Sequence, residues 1–185
     1  MDNSYGKTTV HVENPRICIP AACRQFYDLG WMTGSGGAVG VRRGEEIYIT
    51  PSGVEKEKIQ PDELFVQTID GTSISAPPKY KNLTQSTCTP LIINAFKIRK
   101  GTNNRYYDEI VIPIVDGQPE EIDLAPYVAK ALEDYPETSA VLIRRHGMYV
   151  VGPNWNKTKL MIESFDYLFS LAIQMKQLGL DPSVQ

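Results

Sequence analysis

The chain has 185 residues with 42% hydrophobic and 22% charged side chains, which fits one folded domain and excludes disorder or a fibrous repeat. Lysine and arginine total 19 against 22 acidic residues, a net charge of −3, so no basic footprint for nucleic acid or an anionic membrane is present. Three cysteines are too few for a disulfide framework and suit a reducing, cytoplasmic compartment. The opening residues lack the apolar run of a signal peptide, and Ile110 to Val115 is far too short to span a membrane.

In chain order, residues 1–14 are polar and unpatterned and read as a flexible tail, followed by a folded domain over 15–185. Ile17, Ala21, Ala22, Phe26 and Leu29 predict a helix closed by Gly30, with Pro20 interrupting its first turns. Ala38 to Val41 and Ile47 to Ile49 around Arg43-Gly44-Glu45 predict a hairpin. Leu64 to Val66 and Glu109 to Val115 are further strand candidates, with a loop over Thr72 to Lys81 between them.

Ser86 or Thr87 is placed to cap a helix through Leu91, Ile92, Ala95, Phe96 and Ile98. A second helix covers Leu124 to Leu132 with Pro126 in its first turn. Strands over Ala140 to Ile143 and Met148 to Val151 are joined through Arg144-Arg145-His146-Gly147. Asn154 caps the last helix, whose Leu160, Met161, Phe165, Leu168, Leu171 and Met175 recur at helical spacing until Leu178-Gly179. The layout is α/β, with antiparallel strands and helices outside.

Four features carry candidate chemistry. Thr33-Gly34-Ser35-Gly36-Gly37 lets backbone amides approach an anion, although the same residues also read as a flexible turn. It is not a nucleotide-binding P-loop, because no Gly-Lys-Ser/Thr follows. Thr50-Pro51-Ser52-Gly53 adds hydroxyl and amide donors at a strand end. Cys88 stands at a predicted helix start, where a thiol is activated and anions are attracted, although it also reads as a buried, inert cysteine; Cys18 and Cys23 read as packing residues. His146 is a lone histidine on a turn, and a catalytic metal takes three protein ligands.

Taken together and in order, several segments resemble the methylthioribulose-1-phosphate dehydratase family of the class II aldolase/adducin superfamily. They are Phe26 to Trp31, Thr33 to Gly37, Glu46 to Val54, Cys88-Thr89-Pro90, Arg144 to Gly147, and Tyr167 to Pro182. The resemblance covers residues 15 to 182. It implies a central, mainly antiparallel sheet flanked by helices, assembled as a homo-tetramer. It also implies a zinc-dependent lyase of methionine salvage, which eliminates water from the phosphorylated ketose 5-methylthioribulose 1-phosphate to give 2,3-diketo-5-methylthiopentyl 1-phosphate. By that resemblance Gly34, Ser35, Gly36, Gly37, Ser52 and Gly53 hold the phosphate, Cys88 contacts substrate and His146 is a zinc ligand.

One departure stands out. Family members continue after the Cys88 helix into a strand bearing a His-Thr-His pair, then a helix and a His-Gln-Glu segment with the catalytic glutamate. Here Ile98 to Arg105 leads directly into Tyr106 to Glu109, and about forty residues are absent, with two zinc histidines and the acid/base glutamate among them. The fold expectation is thus a class II aldolase/adducin-like domain lacking one internal strand–helix segment. A second reading follows: a non-catalytic isoform serving as a binding or regulatory subunit, with apoptosis control the role implied by animal members of the family.

Overall fold

The computed structural model describes residues 14–99 and 110–182. Apart from Asn14, the expected tail lies outside the described residues, as does the connector over 100–109. The chain divides into two compact units, one ending at Ser86 and the other beginning at Thr87.

In the first unit, Asn14 opens helix α1 (Pro15–Asp28) by accepting the Arg16 amide at 3.1 Å. The helix runs through Pro20 without interruption, correcting the expected break. Pro20 cannot donate to the carbonyl of Arg16, a defect of about 3 kcal/mol that burial of one helix face offsets. That face is Cys18, Ile19, Ala22, Cys23 and Phe26, whereas Ile17 and Leu29 are exposed. The core stripe is therefore rotated from the one the larger side chains suggested. At its end the Gly30 amide bonds to the Tyr27 carbonyl and the Trp31 amide to the Phe26 carbonyl, a Schellman closure.

The hairpin forms as β1 (Gly40–Arg43) and β2 (Glu46–Ile49), in register Val41↔Tyr48, joined by Gly44-Glu45. β2 also pairs antiparallel with β4 (Phe65–Gln67), and β4 with β5 (Ser73–Ser75). Ile47, Tyr48 and Ile49 are all buried, so β2 is covered on both faces; Arg16 lies over the Tyr48 ring, 5.5 Å from its centroid. β5 falls inside the expected 72–81 loop. It is an edge strand of three residues, held partly by Arg16 Nη2 donating to the Ser75 hydroxyl at 3.1 Å. A separate antiparallel pair joins β3 (Pro51–Ser52) to β6 (Thr84–Gln85).

The second unit begins with α2 (Thr89–Ile98), whose cap position is Cys88 and not Ser86 or Thr87. Then β7 (Ile114–Val115), α3 (Ala125–Asp134) and β8 (Ala140–Ile143) form a strand–helix–strand crossover, since β7 and β8 pair in parallel. β8 pairs antiparallel with β9 (Gly147–Val150). The core lies between α2, α3 and this sheet, with Leu91, Leu124, Val128, Leu132, Val141 and Ile143 buried. Asn154 Oδ1 accepts the Lys157 amide and starts α4 (Trp155–Gln177). Of its apolar stripe Phe165 is buried, but Leu160, Leu168 and Leu171 are exposed, as are Tyr167 and Ile173. Helical spacing marked an apolar face; it did not require that the same chain cover it. No helix among the described residues is long and apolar enough to cross a membrane.

Candidate functional site

In the first unit the glycine-rich segment is a tight, exposed turn. The Gly36 amide closes it on the Thr33 carbonyl at 3.1 Å, and Gly34 takes the left-handed conformation at φ +60°. Gly37 does the same at φ +80°, and a Cβ there would stand 2.5 Å from Met32 Cε. The structure joins this turn to the Thr50–Gly53 segment. Thr50, fully buried, accepts the Val39 amide on its hydroxyl and returns its own amide to the Val39 carbonyl, each at 3.1 Å. Lys56 adds a second tie. Its ammonium, on a side chain only 2% exposed, donates to the Ser35 carbonyl at 2.8 Å and the Val54 carbonyl at 3.1 Å.

A cleft beside Gly53 is lined by Glu55, Lys58, Ile59, Glu63 and Leu83. Lys58 is ion-paired with Glu55, so the two carboxylates leave that cleft unsuited to an anion.

In the second unit Cys88 is buried, and its thiol donates to Glu121 Oε2 at 3.1 Å. Tyr149 Oη lies 3.6 Å from the same sulfur. A thiol has one proton, and Cys88 spends it on Glu121, so the Tyr149 hydroxyl donates to the sulfur. Burial, followed by the nearby Cys88 and Glu121, holds the Tyr149 phenol far above its ordinary range, so it remains a donor. Thr87 Oγ1 donates to the same Glu121 oxygen at 2.6 Å, and His146 Nε2 lies 3.6 Å from Glu121 Oε1. His146 follows Arg145, whose φ of +58° turns the chain between β8 and β9.

Cys88 and His146 are thus brought to one carboxylate that the sequence had not singled out. Glu121 stands 33 residues beyond Cys88, just before α3, and no motif links the two. The Glu120-Glu121 pair preceding a helix was the available signal, and it reads equally as a favourable charge at a helix start. Among the described residues, no group of three or more His, Cys, Asp or Glu side chains is placed to hold a metal ion. The donor set around His146 therefore does not fit a catalytic zinc.

The Class II Aldolase and Adducin N-terminal domain matches the chain twice, over residues 18–104 and 98–173. The fold agrees: L-fuculose 1-phosphate aldolase superposes with a TM-score of 0.75 at 17% identity, over 92% of this chain and 89% of that one. YgbL of Escherichia coli, described as a putative aldolase/epimerase/decarboxylase, gives 0.70 at 15% identity, over 86% of this chain and 88% of its own. Fold and match together define a class II aldolase/adducin protein.

Sequence relatives narrow the class. Methylthioribulose-1-phosphate dehydratase of Aquarana catesbeiana is 48% identical over 210 residues, spanning 92% of this chain and 88% of the relative. The Bos taurus protein of the same name is 44% identical over 211 residues, spanning 92% and 87%. This chain belongs to the methylthioribulose-1-phosphate dehydratase family. The alignment with the frog protein is 210 residues long but takes in only about 170 of the 185 residues here, leaving about forty positions of the relative without a counterpart.

Proposed function

We propose that the chain works in methionine salvage as a methylthioribulose-1-phosphate dehydratase. It would remove a proton from C3 and the hydroxyl from C4 of 5-methylthioribulose 1-phosphate, and the resulting enol would become the C3 ketone of the 2,3-diketo product. The observation that carries this reading is 48% identity to a dehydratase across 92% of the chain. In the first unit, Gly34 to Gly37 with Ser52 and Gly53 are assigned to the phosphate. In the second, Cys88 is the substrate-contacting residue, its thiol oriented by Glu121 and Tyr149. Zinc is the family's expected Lewis acid, but the donors around His146 do not fit it. Three free cysteines support a reducing, cytoplasmic setting. The exposed apolar stripe of α4 supports a homo-oligomer, in which another copy covers it.

A second reading is favoured by the unmatched forty positions and by the double domain match, whose two parts overlap at 98–104. Both observations support loss of the strand–helix segment beyond Ile98, and with it a non-catalytic, regulatory subunit. The test is incubation of the purified chain with 5-methylthioribulose 1-phosphate, read by mass spectrometry for loss of one water. Formation of the diketo phosphate is the result the dehydratase reading requires. Ketose bound but recovered unchanged selects the second reading for this form.

A further inference from the structure

We infer that Lys56 is the positioning residue of the anion-binding turn, its buried ammonium fixing the Ser35 peptide so that the exposed face of the turn accepts a phosphate. The inference rests on the assignment of that turn to the phosphate. The motivating geometry is a cation beneath a backbone turn. Lys56 is 2% exposed and donates to the carbonyl of Ser35, inside the turn assigned to the anion, and to that of Val54, the residue after Gly53.

A peptide carbonyl aimed at a bound phosphate would repel it. In a trans peptide the carbonyl and the following N–H point in opposite directions. Engaging the Ser35 oxygen from below therefore directs the Gly36 N–H away from Lys56, where it closes the turn on Thr33. The carbonyl most able to oppose an anion is thus neutralised, and the turn is held in a shape that requires left-handed backbone at Gly34 and Gly37. A buried ammonium is also screened less than one in water, so its charge acts at the exposed face above it. An apolar side chain would fill the same volume without either effect. Lys58, two residues on, cannot substitute, because it is exposed and paired with Glu55.

The experiment is a titration of the full chain with inorganic phosphate, followed by NMR at the Ser35, Gly36, Gly37 and Gly53 amides and at the Lys56 ammonium. In the native chain saturable shifts at these amides are expected, accompanied by a shift of the ammonium. Lys56→Met is expected to weaken phosphate at least tenfold while the Ile47 and Ile49 amides keep their folded positions; Lys56→Arg, which restores a cationic donor, recovers part of the loss. A folded Lys56→Met chain that binds phosphate as tightly as the native one overturns the inference and leaves the turn's assignment standing. Where Lys56→Met does not fold, the native chain decides: an ammonium resonance unmoved while the turn amides titrate overturns it. Native amides that do not respond at all remove the phosphate assignment itself, and the inference with it.

Discussion

The two units hold their candidate groups by different means. In the first, the candidate surface is backbone: a turn of glycines whose Ser35 carbonyl is held by Lys56 and whose continuation at Val39 is held by Thr50. In the second it is side chain: Thr87, Cys88 and His146 converge on the Glu121 carboxylate, and Tyr149 reaches the Cys88 sulfur beside it. The contrast extends to the thiols. Cys23 is sealed in the α1 core, whereas Cys88, at a helix start, both donates and accepts. A backbone seat depends on packing below it and tolerates no change of shape. A side-chain cluster can lose a member and keep its fold.

The largest effect that would sharpen this contrast lies under the turn. Ile49 is fully buried on β2, paired with Gly40 and Phe65, and is followed directly by Thr50. Ile49→Ala is expected to cost about 2–5 kcal/mol, the usual range for emptying a tightly packed aliphatic site. Urea denaturation measures it, and the amide signals of Gly34 to Gly37 should broaden together with the loss. A cost below about 1 kcal/mol would mean that the turn does not rest on this strand.

Much of the backbone seat was legible before the structure. Glycines at 34, 36 and 37, the Gly44-Glu45 hairpin loop, and helix ends at Gly30 and Gly179 are local signals, each specified within a few residues. Lys56 was not, because it sits in a Glu-Lys-Glu-Lys run whose composition belongs to solvent. β5 was hidden for a similar reason: a three-residue edge strand beside Pro77-Pro78 carries no alternation to detect. The Cys88 cluster was legible only in part. Cys88 and His146 stood out by position, and the resemblance gave them roles, but Glu121 and Tyr149 meet Cys88 across 33 and 61 residues of chain, contacts made by packing and marked by no motif. The α4 stripe was legible as apolar, but whether anything covers it was not, since periodicity reports a face and not its partner.

Alkaline pH separates the two thiols with a smaller effect. Burial pushes the Cys23 thiol up to about 12, against a pull in the other direction from Lys56 and Arg24. An unfolded chain gives up that proton from pH 9.0, while the folded chain keeps it to about 12. Below pH 9 the contribution is constant and fully present. Between 9 and 12 the unfolded state is favoured by about 1.4 kcal/mol for each pH unit, so stability falls as pH rises. Cys23→Ala removes this slope without removing the tyrosine and lysine titrations common to both chains. The difference in stability between the two, followed by denaturation from pH 8 to 11, should therefore narrow steadily above 9; a constant difference would show that burial does not govern this thiol.

The smallest expected change in stability is the one with the clearest consequence for binding. Cys88→Ala deletes a sulfur that donates to Glu121 and accepts from Tyr149. The carboxylate keeps the Thr87 hydroxyl as a donor; the Tyr149 hydroxyl, on a partly buried side chain, loses a weak sulfur acceptor while its ring keeps its place against the core. The net worth of one such hydrogen bond sets the cost near 1 kcal/mol. Affinity for the phosphorylated ketose, measured by calorimetry, should fall well beyond what that small loss of stability could cause. Unchanged affinity would reduce Cys88 to a packing residue like Cys23 and erase the distinction between the two units' thiols. A loss of stability of several kcal/mol would instead make the cluster part of the framework, and the side-chain site would prove as dependent on its packing as the backbone seat.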